Sequence, residues 1–446
     1  MNASNTFERS HERAFSVALL HLNELIDAGL DEEVEGDAVR DEMDMHWYRM
    51  DDRQRERMDY LSVDLEDLAQ AKNKPDHAGP IDRKWAEEMQ SVRDVAGADG
   101  PDRILALLRD PRSGKISANI AFIQARNYER LGLPEVGLRF YEFAEARDGS
   151  LKAMTLHSLT QLGWMDLALP RAENLICERR HDPVAVYYAC LTLLESARFM
   201  NPLSAKPTLM RIRDLLTPCV IELEKSNLND PNRTDIYPAS VLILGLCLDR
   251  LGQYKPVVRV CDKYLNTNTG IAFADAEIYH LRGSAKVAMD DQGAMEDFRK
   301  SIQLKTESPW PYLFLISNSL QRGDLKSANE LCNIALNYLP ALPRICRALL
   351  LEGRAIVMDR LGQPKKSVLA TFDLAIELSP EDARLKRNRD IAASGSGFAK
   401  IDLIVASPTM RINQLQLMKY SDSPFANRIA RQAFEIIEGI TIPSAA

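Results

Sequence analysis

Trp310-Pro311-Tyr312, continuing to Gln321-Arg322-Gly323-Asp324-Leu325 and then Ala328, Cys332, Ala335 and Pro340, contains a helix, a tight turn and a second helix. The two alanines stand seven residues apart, close to two helical turns, so both fall on one stripe with Cys332 between them. Two helices can approach closely only where facing side chains are small, so this stripe predicts a helical hairpin. Gly252 and Gly323 are 71 residues apart, two periods of a helix-turn-helix unit of about 34 residues. A unit that short cannot bury its apolar face alone, and its neighbours must stack on it.

The neighbouring segments repeat the pattern. Tyr279, Gly283, Ala294, Phe298, Ser301 and Pro309 precede it, with the turn at Asp290-Asp291 one residue short. Leu361-Gly362, Val368, Phe372, Ala375 and Pro380 follow it. Upstream stand Gly245, Leu248, Leu251-Gly252 and Tyr264, then a weaker match at Leu162-Gly163, Ala168 and Ala172. Another match reads Ala125, Tyr128, Leu131-Gly132, Gly137, Tyr141 and Ala144. A stretched unit lies between Pro183 and Ser226. In these residues the chain resembles the tetratricopeptide repeat family over about residues 101–392. The first-helix glycine is present at Gly245 and Gly283 and replaced at Ala125, Leu156 and Ile316; an array of helical hairpins of another repeat type is the alternative. The resemblance implies an all-α solenoid of stacked hairpins whose inner face binds a peptide or protein.

Residues 1–100 hold 25 Asp and Glu against 12 Lys and Arg, while the rest of the chain holds 39 against 44. An acidic front end argues against nucleic acid, because phosphate contacts need clustered Lys and Arg. The one basic cluster, Arg384, Lys386, Arg387 and Arg389, follows Ser379-Pro380-Glu381-Asp382. It reads as a helix with serine as N-cap, proline first, acids in the first turn and bases later. No run of eighteen apolar residues and no signal-peptide pattern is present. The seven cysteines lie in helical patterns rather than paired motifs, which predicts free thiols in a reducing compartment, the cytoplasm.

Outside the array, residues 5–28 form an amphipathic helix with Phe15, Ala18, Leu19, Leu22 and Ile26 on its apolar side. An acidic loop follows over 31–37. A second helix from about Asp51 to Ala71 carries Met58, Leu61, Leu65 and Leu68 in one stripe that packs against the first. Residues 1–72 therefore make an acidic helical module and 73–100 a linker with a short helix at 82–95; a further short helix at 102–109 opens the 101–392 array. After the hinge Ala393-Ser394-Gly395-Ser396-Gly397, residues 398–446 either cap the array or fold back into its groove.

Catalytic chemistry is not legible. Arg112-Ser113-Gly114-Lys115-Ile116-Ser117 lacks the upstream glycine of a phosphate loop, and its second serine comes one position late. Asp230 to Asp235 begins like a calcium loop, but Asp235 takes the glycine position and Val241 that of the closing glutamate. No metal-binding or nucleophile motif occurs among the scattered histidines and cysteines; only His46, beside Trp47-Tyr48, has an unusual local setting. The expectation is thus a protein that is not an enzyme, with no cofactor, no metal, no membrane and no nucleic acid, and with a protein or peptide partner. First-helix positions expected to face that partner are Asn119, Phe122, Arg126, His157, Tyr188, His280, Ser284 and Trp310. Such a mixture suits an extended peptide held through backbone amides and a few side-chain pockets. The carboxylate clamp of the tetratricopeptide family is not reconstituted by Asn119 and Arg126 alone. Two other classes stay open: a regulator that recognises its partner through the acidic module, and an enzyme without a local motif.

Overall fold

A computed structural model describes residues 3–72, 116, 118–198, 200–225, 236–267, 272–306, 308–338 and 344–395. The expected short helices at 82–95 and 102–109, the Asp230–Asp235 turn and the segment 398–446 lie outside these. The described residues are all-α, with eighteen α-helices and no strand. They fall into two compact units that divide between Trp164 and Met165, inside the span assigned to one array.

In the first unit, α1 (Ala3–Ala28), α2 (Val34–Trp47) and α3 (Asp52–Lys72) precede α4 (Ala118–Arg130), α5 (Pro134–Arg147), a 3-10 turn (Gly149–Leu151) and α6 (Lys152–Gln161). The α3 stripe is buried as its spacing predicts, with Met58 and Leu61 at 1% and 0% exposure, and α3 packs on α1. Asp51 and Gln54 open α3 with a reciprocal capping box: the Gln54 amide donates to Asp51 Oδ1 at 2.8 Å and the Asp51 amide to Gln54 Oε1 at 2.9 Å. The acidic loop gives way to helix at Val34. Only Gly36 and Val39 of α2 are buried, so it lacks the stripe by which sequence periodicity reveals a helix, while Glu35 and Asp37 suit its positive N-terminal end. The acidic module is docked on the first hairpin: Arg13 meets Glu135 (Nε to Oε1 3.0 Å), Arg139 meets Glu24, and the Tyr128 hydroxyl donates to buried Asp64.

The second unit runs α7 (Met165–Glu178), α8 (Pro183–Arg198), α9 (Pro202–Lys225), α10 (Tyr237–Arg250), α11 (Tyr254–Asn266), α12 (Ala272–Val287), α13 (Ala294–Gln303), α14 (Trp310–Arg322), α15 (Leu325–Tyr338), α16 (Arg344–Arg360), α17 (Lys365–Leu378) and α18 (Ala383–Ser394). Each helix packs on the next, forming successive hairpins. The turn glycines Gly252, Gly323 and Gly362 hold φ between 69° and 75°, and Gly132 and Gly163 of the first unit stand at 83° and 74°, a left-handed conformation that glycine adopts without penalty. In the shortened repeat Asp290 takes this conformation at φ 55°. The predicted small residues are closed into the core: Ala294 is 1% exposed, and Ala328, Cys332, Ala335 and Ala375 are wholly buried. Direct contacts also run between first helices, α8 with α10, α10 with α12 and α14 with α16.

Two local readings are corrected. The cap of α18 is Asp382, which accepts from the Arg384 amide at 3.0 Å; Ser379 caps nothing there, and Pro380 precedes the helix. A carboxylate two residues before the amide it accepts completes an Asx turn, which starts the helix three residues later. Ala393 and Ser394 of the expected hinge are the end of α18, closed by Gly395 at φ 69°.

Candidate functional site

First helices α8, α10 and α14 are apolar nearly all round, and such helices belong in an interior. Residues 185–194 of α8, 237–245 of α10 with Ile236 before it, and 310–317 of α14 are buried without interruption. The second helices are amphipathic instead: in α11 only Val257, Cys261 and Tyr264 are buried.

This division decides where the eight predicted recognition residues sit. In the first unit, Asn119 lies on α4 and its side chain is outside the described residues. Phe122 is buried against Tyr141, ring centroids 5.3 Å apart, and the Ser158 hydroxyl donates to the Tyr141 oxygen at 2.9 Å. His157 is buried and Arg126 half-buried. In the second unit, Tyr188 is fully buried edge-on to Tyr187, centroids 4.9 Å apart. Ser284 and Trp310 are buried and His280 is half-buried. Five of the eight are therefore packed in the interior and present little surface to a partner as they stand. Sequence spacing assigns a residue to a helix face, but the first-helix contacts that cover that face come from distant turns.

Two of these residues are brought into one polar chain. His280 Nδ1 lies 3.4 Å from Oε2 of Glu277, itself 1% exposed. Glu277 Oε1 accepts from the Thr306 hydroxyl at 2.6 Å, Thr306 Oγ1 accepts from the Ser308 amide at 3.1 Å, and Ser308 Oγ accepts from the Trp310 amide at 3.4 Å. The chain ties α12 to the connection before α14. A buried carboxylate satisfied in this way holds geometry, since each lost partner would leave a desolvated oxygen.

A second network escapes the sequence reading. Arg282 forks onto buried Asp297 (Nη2 to Oδ1 2.6 Å, Nε to Oδ2 3.0 Å) and reaches Asp262 with Nη1 at 2.6 Å. Lys286 adds a 2.8 Å contact to Asp297. Three consecutive helices, α11, α12 and α13, are bound together through one guanidinium. The sequence signal is weak: Arg282 and Lys286 share a face four residues apart, but nothing in it names Asp297 as the partner.

Among the described residues no three His, Cys, Asp or Glu side chains converge as a metal site, and no helix is long and apolar enough to cross a membrane. All seven cysteines are free, six of them buried and Cys177 exposed. Neither a protein-family model nor a curated protein matches the chain.

Proposed function

We propose that this chain is a non-catalytic interaction scaffold of tetratricopeptide-like hairpins that binds a protein or peptide partner in the cytoplasm. The observation that carries the reading is the division of labour between helices. First helices are spent on the core and on buried ties, and second helices turn a polar face outward. A frame built this way keeps its shape while its surface residues vary, which is what positioning a partner needs. Seven free thiols support a reducing compartment.

The test measures partner affinity beside thermal stability for Arg126→Glu in the first unit and, separately, for His280→Gln in the second, a change that keeps a polar group beside Glu277. Loss of affinity at an unchanged melting temperature supports a first-helix recognition face. A specific observation favours the acidic module as a second reading: Val34, the first residue of acidic α2, and Tyr48, just past its end, are 86% and 76% exposed. Because the module is docked on α5, deleting it would uncover the first hairpin. Reversing Glu32, Glu33 and Glu35 to Lys separates the readings, since only the module reading predicts lost affinity.

A further inference from the structure

The stretched repeat of the second unit opens a groove of about 880 Å³ between α7 and α9. Its lining joins apolar Ile176, Leu203, Pro207, Met210 and Leu215 to the charged Arg180, Lys206, Arg211 and Asp214. Leu203 is 84% exposed and Met210 39%, an arrangement that leaves apolar surface in water beside cations. Arg211 is engaged by Glu173 (Nη1 to Oε1 2.5 Å), and Asp214 by Arg213 at 2.8 Å. Arg180 and Lys206 have no ion-pair partner among the described residues, so two positive charges stand over the apolar floor. Pro207 lies inside α9 and has no N–H. The Leu203 carbonyl therefore lacks its usual intrahelical donor, on the helix face that lines the groove.

We propose that this groove docks an acidic peptide of a partner protein, one whose carboxylates flank a large apolar side chain. The carboxylates meet Arg180 and Lys206, the apolar side chain covers Leu203 and Met210, and a peptide N–H supplies the donor that Pro207 removes. The negative excess of the chain lies in residues 1–100, whereas the rest holds 44 Lys and Arg against 39 Asp and Glu, so an acidic ligand is turned away from the acidic module and not from this groove. Specificity then comes from both signs. The groove lies among second helices and is independent of whether the first-helix face binds.

Cys177 lines the groove and is the exposed thiol, so alkylation of the full chain reports on occupancy. Burial pushes the Cys247, Cys332 and Cys346 thiols up to about 12, which keeps them unreactive near neutrality. A displayed library of random dodecapeptides is selected on the wild-type chain, and the recovered peptides are synthesised. The expected peptides are rich in Asp and Glu beside Leu, Phe or Met and protect Cys177 from alkylation. They lose about tenfold or more in affinity to Arg180→Glu with Lys206→Glu and weaken with salt. Both side chains are exposed, and an unchanged melting temperature checks the fold; Leu203→Ser tests the apolar contact separately. The proposal is overturned if no recovered peptide protects Cys177, if the peptides are basic or lack carboxylates, or if charge reversal leaves affinity intact. It is equally overturned if anionic phosphatidylserine vesicles, or a second copy of the chain, protect Cys177 where the acidic peptides do not.

Discussion

Gly283 and Gly353 both lie within first helices of the second unit, yet alanine should act on them with opposite sign. At Gly283 a Cβ would meet Phe298 Cε1 at 2.8 Å, Cδ1 at 3.0 Å and the Ala294 carbonyl oxygen at 3.2 Å. Phe298 cannot swing aside. It is wholly buried and stacked on Phe314 at 4.7 Å with 11° between the planes. Restoring a contact of about 3.5 Å requires the ring, or the whole of α13, to retreat by about 0.7 Å. Overpacking of this kind costs roughly 1–3 kcal/mol, against a helix-propensity gain of about 1 kcal/mol for replacing glycine. The net expectation is a loss of about 1 kcal/mol. At Gly353 the nearest atoms are Ile316 Cγ2 at 3.4 Å and Cys332 Sγ at 3.8 Å, ordinary contacts that a methyl group fills. Gly353→Ala should gain about 0.5–1 kcal/mol. Urea unfolding followed by circular dichroism at 222 nm, with the slope held constant, measures both. A Gly283→Ala protein as stable as wild type, or a Gly353→Ala protein less stable than Gly283→Ala, would refute the packing argument.

Ala335→Leu should destabilise by roughly 1–3 kcal/mol, since Ala335 is wholly buried at a helix contact; Arg389→Ser, which removes an exposed pair with Asp373, should leave the urea midpoint in place. Glu352→Ala should cost toward the lower end of roughly 3–5 kcal/mol, because Glu352 is wholly buried and pairs with Arg384 and Asn388, while Arg384 keeps Asp382. A midpoint equal to wild type would show that α18 is not held by this pair. His46 Nδ1 lies 3.0 Å from His11 Nδ1, and burial, then His11 and Arg49, lower the His46 pKa against the opposing pull of Glu42. The stability this contributes is present above the ordinary imidazole value of about 6.5 and is lost as pH falls through the lowered folded value. Thermal midpoints between pH 7.5 and 5.5 should therefore fall more steeply in wild type than in His46→Asn, and parallel slopes would rule the pair out as the cause.

The hairpin stack was legible because it is written in two local marks, a left-handed turn residue and small residues seven apart. Ala328 and Ala335 are buried where spacing placed them, and the Leu-Gly turns adopt the backbone they announce. What escaped reading was non-local. Helix α2 packs with little apolar surface of its own. The α18 cap moved from Ser379 to Asp382 because an Asx turn, which periodicity does not report, competed successfully. The buried ties Arg282–Asp297 and Glu352–Arg384 join residues 15 and 32 apart, and each charge alone reads as an exposed helix face.

The recognition residues were placed by analogy with arrays whose first helices line an open surface, and here burial works against that assignment. A first helix can present side chains only if one of its faces is left polar, and residues 236–245 and 310–317 contain no charged side chain at all. Uncovering such a face to bind a peptide would first expose apolar surface worth about 25 cal/mol for each Å². Second helices carry no such cost, because their outward faces are already solvated and charged. Surface recognition in the second unit is therefore cheapest on α7, α9, α11, α13, α15 and α17. Among these, α9 combines three properties that a docking site needs: 24 residues, more than any other described helix of the unit, a proline that frees a backbone acceptor, and an exposed leucine beside a lysine with no ion-pair partner among the described residues. Substitutions on the outward face of α9, at Leu203, Lys206 and Met210, should alter binding without touching stability, whereas substitutions along α10 or α14 should do the reverse. Affinity and melting temperature measured on one panel of variants would separate the two classes, and coincident losses in both would place recognition back on the first helices.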